Sequence, residues 1–162
     1  MIRMGRLLPG AQPIGIGISG AHRGIVRIGA DEDVTAIVKP GPFGTIAAEL
    51  FVAMLARDVS LTVPEPILVF DPVGYRLMAG SIDMEYPNLC AAFPDLDANV
   101  ASDLGKLCAK IQEWQCHPLV AAFDEWIANV DRNINNLLWD GSDFILIDHA
   151  MSVVIGLRPQ CV

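Results

Sequence analysis

The chain has 162 residues with 11 basic and 19 acidic side chains, a formal net charge of −8 that argues against nucleic acid or an anionic membrane as an obligate partner. Without repeats or low-complexity tracts, this length allows one compact domain or two small lobes sharing a cleft. No apolar run approaches the ~20 residues of a membrane helix, and Met1 to Gly10 lacks a signal-peptide core, so the reading is cytoplasmic. A hydrophobic content of 52% leads us to expect apolar surface covered by a protein partner or a second copy.

In chain order, Gly15 to Gly24 is a Gly-rich turn whose backbone N–H groups could wrap phosphates, with Ser19 and His22 as candidate contacts. Loop glycines explain the segment almost as well. Ile25–Ile28, Val34–Lys39 and Ile67–Phe70 read as β-branched strands separated by turns. Thr45 to Asp58 has helical periodicity, with Ala48, Phe51, Val52 and Leu55 on one face. Glu49 interrupts an apolar stretch of that helix and needs a cationic partner if buried. Lys39 is the nearest in sequence, and Arg57 and Arg76 are rivals.

Gly74 to Ile82 reads as a strand running into a small-residue connector, with a boundary near Gly80. The expected parts are residues 1–80 and 81–162. Val100, Leu104, Leu107, Cys108, Ile111 and Trp114 mark an amphipathic helix within Asp97 to Gln115. Leu119, Phe123, Trp126, Ile127 and Val130 mark a second, with Asp124 and Asn129 off its apolar face, placed to support the following loop rather than to act in chemistry. Cys90, Cys108, Cys116 and Cys161 lack metal-ligand spacing and read as free, mostly buried thiols.

The most informative stretch is Asp131-Arg132-Asn133-Ile134-Asn135-Asn136-Leu137-Leu138, followed by Ile147-Asp148-His149-Ala150. Residues five apart on a helix sit about 140° apart, so Asp131 and Asn136 belong on a loop if they act together. Two apolar runs flanking Asp140-Gly141-Ser142-Asp143 suggest a hairpin that sets Asn136 opposite Ile147, next to Asp148. One oxygen from Asn136 and one from Asp148 could then reach a single Mg²⁺. Taken singly, Asn and Asp are ordinary turn formers.

With Phe123 to Arg132 running into Asn136-Leu137-Leu138 and then Leu146-Ile147-Asp148-His149, the chain resembles the bacterial HipA-like kinases. It is more distantly similar to the phosphatidylinositol 3/4-kinases. Those families carry Asp-Arg-His-x-x-Asn and Ile-Asp-Phe-Gly; here Asn133 stands for the His and His149-Ala150 for Phe-Gly. The resemblance implies a two-lobed α+β protein-kinase-like fold: an antiparallel-sheet N lobe with one helix, and a truncated, mainly helical C lobe with a β-hairpin. It implies ATP and Mg²⁺ as cofactors, with Lys39 on the phosphates, Glu49 orienting Lys39, Asn136 and Asp148 on the metal, and Asp131 acting on the acceptor hydroxyl. It also makes the connector near Gly80 a hinge, with Met78 and Ile82 as candidate walls for the adenine ring, though core packing is the commoner use of both.

Only 14 residues follow Asp148. The readings are therefore a phosphotransferase acting on a Ser/Thr or small-molecule hydroxyl, or a nucleotide-binding pseudokinase serving as a regulatory module. An aminoglycoside-phosphotransferase-like enzyme ranks below both, because Ala128-Asn129-Val130 precede the Asp where that family has His-Gly.

Overall fold

The computed structural model describes residues 1–14 and 20–149. Its strands are β1 (Arg3–Leu7), β2 (Gln12–Pro13), β3 (His22–Ile28), β4 (Glu32–Pro40), β5 (Pro66–Asp71), β6 (Arg76–Ile82), β7 (Leu137–Trp139) and β8 (Phe144–Leu146). The helices are α1 (Phe43–Asp58), α2 (Leu89–Ala92), α3 (Ala101–Glu113) and α4 (His117–Trp126).

The strands run β1-β5-β6-β4-β3, and β1 pairs again with β3, so the sheet closes into a five-stranded barrel with β2 added outside β3. This corrects the two-lobed expectation: the molecule is a small α+β protein dominated by a closed barrel, with few helices. The cause is β1. Arg3-Met-Gly-Arg-Leu carries no β-branched residue and does not read as a strand from its composition, yet it pairs parallel with β5 and antiparallel with β3. That double pairing removes both sheet edges, which closure alone can do.

Side-chain parity divides the barrel wall. Successive strand residues point to opposite faces, so Val38 and Met78 enter the barrel core with Val26, Ile67 and Val69. Lys39 and Ala79, paired in register, face the other way. Ala79 packs with Ile46 and Leu50 of α1. Gly80 keeps the wall thin, since a Cβ there would lie 2.6 Å from Val69 Cγ2.

Helix α1 is packed on two sides. Ile46 and Leu50 meet the sheet, while Val52 and Ala56 join a second core with Leu107, Phe123, Ile127, Leu137, Phe144 and Leu146. The expected single face through Phe51 is wrong, because Phe51 is 54% exposed. The later helices also bury less than their periodicity implied. Leu107 is the buried residue of α3, whereas Leu104, Leu119, Trp126 and Val130 are exposed, Trp126 by 67%. Cys90, Cys108 and Cys116 are free but half-buried rather than buried, and Cys161 lies outside the described residues.

The hairpin forms in the anticipated register. Leu137 pairs with Leu146 and Trp139 with Phe144, and Ile147 N–H donates to the Asn136 carbonyl at 3.1 Å. Its loop is organised by Asp140, whose Oδ1 accepts from the N–H groups of Ser142 and Asp143 at 2.8 and 2.7 Å, with Gly141 at φ 106°. Two bonds tie the hairpin down: Leu146 N–H to the Thr62 carbonyl and Trp139 N–H to the Pro87 carbonyl. No helix among the described residues is long and apolar enough to cross a membrane.

Candidate functional site

Between the outer face of β4 and β6, helix α1 and the hairpin lies a cleft of about 370 Å³. Strand parity delivers Lys39 to it, α1 delivers Glu49, and the hairpin delivers Asn136 and Asp148. Lys39 Nζ donates to Glu49 Oε1 at 2.7 Å and lies 3.1 Å from Asp148 Oδ2. The other Glu49 oxygen, Oε2, accepts from the His149 main-chain N–H. One carboxylate thus joins the strand lysine to the segment that carries Asp148. Arg57 and Arg76, the rival partners, bond elsewhere: Arg57 to the Val63 carbonyl and Arg76 to Asp71.

Burial opposes the charge on Lys39, but Glu49 and Asp148 more than offset it and hold the ammonium above its ordinary value.

The loop leading to Asn136 is built by its own polar side chains. Helix α4 ends with Ala128 at φ 53°. Its N–H bonds the Glu125 carbonyl and the Asn129 N–H bonds the Asp124 carbonyl, a left-handed stop that turns the chain sharply. Asn133 accepts from Asn135 N–H and donates to the Asp131 carbonyl. Asn136 is buried and donates Nδ2 to that same carbonyl at 2.7 Å. Since a carbonyl only accepts, the amide nitrogen is the atom facing it, and among the described residues Oδ1 receives no hydrogen bond.

Asp148 adopts φ 59°, left-handed for a residue that is not glycine, a conformation that collects at functional sites. The described residues contain no cluster of three or more His, Cys, Asp or Glu able to hold a metal by themselves. The donor set of one amide oxygen and one carboxylate nevertheless fits Mg²⁺, which typically takes one or two protein carboxylates and completes its shell with substrate phosphates and water.

Several candidates fall elsewhere. Asp131 is exposed and does not line the cleft, although its main-chain carbonyl accepts from Asn136 Nδ2. His22 is not in the cleft: its Nδ1 contacts the Gly20 carbonyl at 2.8 Å, and it lines a separate small cavity. Met78 is 1% exposed inside the barrel, so it cannot wall the cleft; Ile82, where β6 ends, does line it. Strand parity puts Ala79 and Ser81, not Met78, on the cleft side of β6. Ser19 lies outside the described residues.

Asp124, Arg132 and His149 also belong to the site. Asp124 is buried, not peripheral, and pairs with Arg132 at 2.9 Å. A carboxylate beside Phe123 on an apolar helix requires a cation once buried, the same signal that exposed Glu49. His149 is 3% exposed, with Nδ1 3.3 Å from Arg132 Nη2. Because Arg only donates, Nδ1 is the acceptor and Nε2 carries the proton.

Burial, followed by repulsion from Arg132, pulls the His149 ring down to about 3 from its ordinary 6.5. In the unfolded chain the ring takes a proton below about 6.5, whereas in the fold it does so only near 3, so stability is full above 6.5 and declines as pH falls between those values. His149→Gln is expected to flatten this acid limb, read as urea midpoint against pH; an unchanged limb would assign it to other groups.

Comparison with family models and with curated protein sequences found no match. Among solved structures, the chain is similar in fold to the Helicobacter pylori proinflammatory kinase CtkA, with a TM-score of 0.63 and 14% identity over 93% of this chain. The chain spans 58% of that protein's length. At that identity the likeness is one of fold, and the neighbour is a kinase.

Proposed function

We propose that this protein is an ATP-dependent phosphotransferase of the HipA-like type, moving a γ-phosphoryl group to a Ser/Thr or small-molecule hydroxyl. The observation that carries the reading is Lys39, held by Glu49 at 2.7 Å and lying 3.1 Å from Asp148 in a cleft that also takes Asn136. Phosphoryl transfer requires little covalent chemistry of the protein; it requires cations placed around the phosphates and an oriented acceptor.

Mg²⁺, when bound, would neutralise charge on the transferring phosphoryl group, with Asn136 Oδ1 and Asp148 as its protein donors. Lys39 would then exchange its Asp148 contact for phosphate oxygens while Glu49 keeps it aimed. Asp131, exposed, joined to Asn136 through its main-chain carbonyl and with its carboxylate unengaged by any described hydrogen bond, would orient the acceptor hydroxyl and take its proton. The apolar part of the cleft, including Ile82 and Leu146, suits a flat base. Exposed Leu119, Trp126 and Val130 are consistent with a protein partner or second copy covering that side.

The test is a thermal-shift titration of the wild type with ATP, with and without Mg²⁺. Stabilisation that grows with Mg²⁺ is the expected result, because a ligand binding the native state raises the melting temperature by mass action. No shift at millimolar ATP would reject the nucleotide site.

A further inference from the structure

A guanidinium carries five N–H donors and no acceptor. In Arg132 every one is placed. Nε and Nη2 reach the two carboxylate oxygens of Asp124 at 2.9 and 3.1 Å. Nη1 donates to the main-chain carbonyls of Asn136 at 3.2 Å and Ile147 at 2.8 Å, and Nη2 also meets Nδ1 of His149 at 3.3 Å. The pair with Asp124 is well removed from water, at 15% and 12% side-chain exposure.

The positions of these acceptors matter more than their number. One carbonyl belongs to the residue that offers the amide oxygen. The other belongs to the residue immediately before Asp148, and the ring to the residue immediately after it. Between those two anchors Asp148 sits at φ 59°, which a side-chain-bearing residue keeps only where its surroundings hold it. Lys39, by contrast, is held by Glu49 and has no described contact with Arg132.

Building on the nucleotide–metal reading of the cleft, we propose that Arg132 is a positioning residue for the divalent cation. It sets the spacing of Asn136 and Asp148 by gripping the residue just before β7 and the residue just after β8, and holds Asp148 in its left-handed conformation through Ile147 and His149. Asp124 is the anchor that fixes the guanidinium. Arg132 touches neither nucleotide nor metal, and its effect is confined to the metal-dependent part of binding.

Arg132→Lys keeps the charge but offers three donors on one flexible atom, which cannot span a carboxylate, two carbonyls and a ring. ATP affinity would be measured by calorimetry on the full chain with Mg²⁺ and with EDTA, and Mn²⁺ affinity measured on the ATP-loaded protein. The expected result is a metal affinity lowered by about 10- to 100-fold, the usual cost of losing a ligand-orienting group, with EDTA-condition ATP affinity unchanged within about twofold.

A parallel loss of ATP affinity in EDTA would mean a general structural role and overturn the proposal. Unchanged metal affinity in the variant would overturn it alone, leaving the nucleotide site standing, whereas a wild type showing no metal enhancement would overturn both. Should Arg132→Lys not fold, Asp124→Asn serves instead, since it loosens the anchor while leaving both carbonyl contacts in place. A smaller loss confined to metal binding supports the proposal, and metal binding equal to wild type rejects it.

Discussion

Replacing Asp148 with Asn will abolish the Mg²⁺-dependent part of the stabilisation by ATP while leaving the fold intact. Asn is among the few residues that tolerate the left-handed φ of 59° found here, so the substitution removes a charge without straining the backbone. At a ligand concentration a hundredfold above Kd, binding stabilises the wild type by about 2.7 kcal/mol. For a chain of this size each kcal/mol raises the melting temperature by about 2–4 °C. In the variant, adding Mg²⁺ to the ATP complex is expected to give no further rise. Transfer should fall at least hundredfold, since a metal supplies several kcal/mol of charge stabilisation to a transferring phosphoryl group. A full Mg²⁺-dependent shift in the variant would place the metal on other residues.

Replacing Asp131 with Ala will separate transfer from binding. Its main-chain carbonyl, which accepts from Asn133 and Asn136, survives the substitution, so the loop geometry is kept. A general base contributes typically about 10² to 10⁴-fold. Single-turnover transfer should drop by that amount, with ATP·Mg²⁺ affinity unchanged within about twofold. Unaltered transfer would assign the base to another group. If the wild type itself binds ATP·Mg²⁺ but transfers nothing to any hydroxyl acceptor or to water, the regulatory-module reading replaces the enzyme.

What could be read along the chain was local. The hairpin is specified by two apolar runs and Asp140-Gly141, so its register and the juxtaposition of Asn136 with Ile147 followed from turn chemistry. Glu49 was legible because a carboxylate within an apolar helix needs a cation, and Lys39 supplied it at 2.7 Å. Asp124 obeyed the same rule, but helical periodicity placed it beside the apolar face, and only the packing of α4 against the hairpin buried it. Met78 was misassigned because a two-residue period says which side chains share a face of a strand, not which face meets the barrel interior.

The sequence by itself determined the chemical types at the site and most of the elements that carry them: strands β3 to β6, an apolar helix interrupted by Glu49, and a polar loop and hairpin carrying Asp131, Asn136 and Asp148. Periodicity and turn preference are properties of a few neighbouring residues, so they are written locally. Only the tertiary structure decided that β1 would close the sheet into a barrel, since that strand is specified by its pairing with β3 and β5 rather than by its own composition. It likewise decided that Arg132 would spend all five donors around the Asp148 segment. A guanidinium finds its acceptors in space, and here they come from positions 124, 136, 147 and 149, which no local pattern brings together.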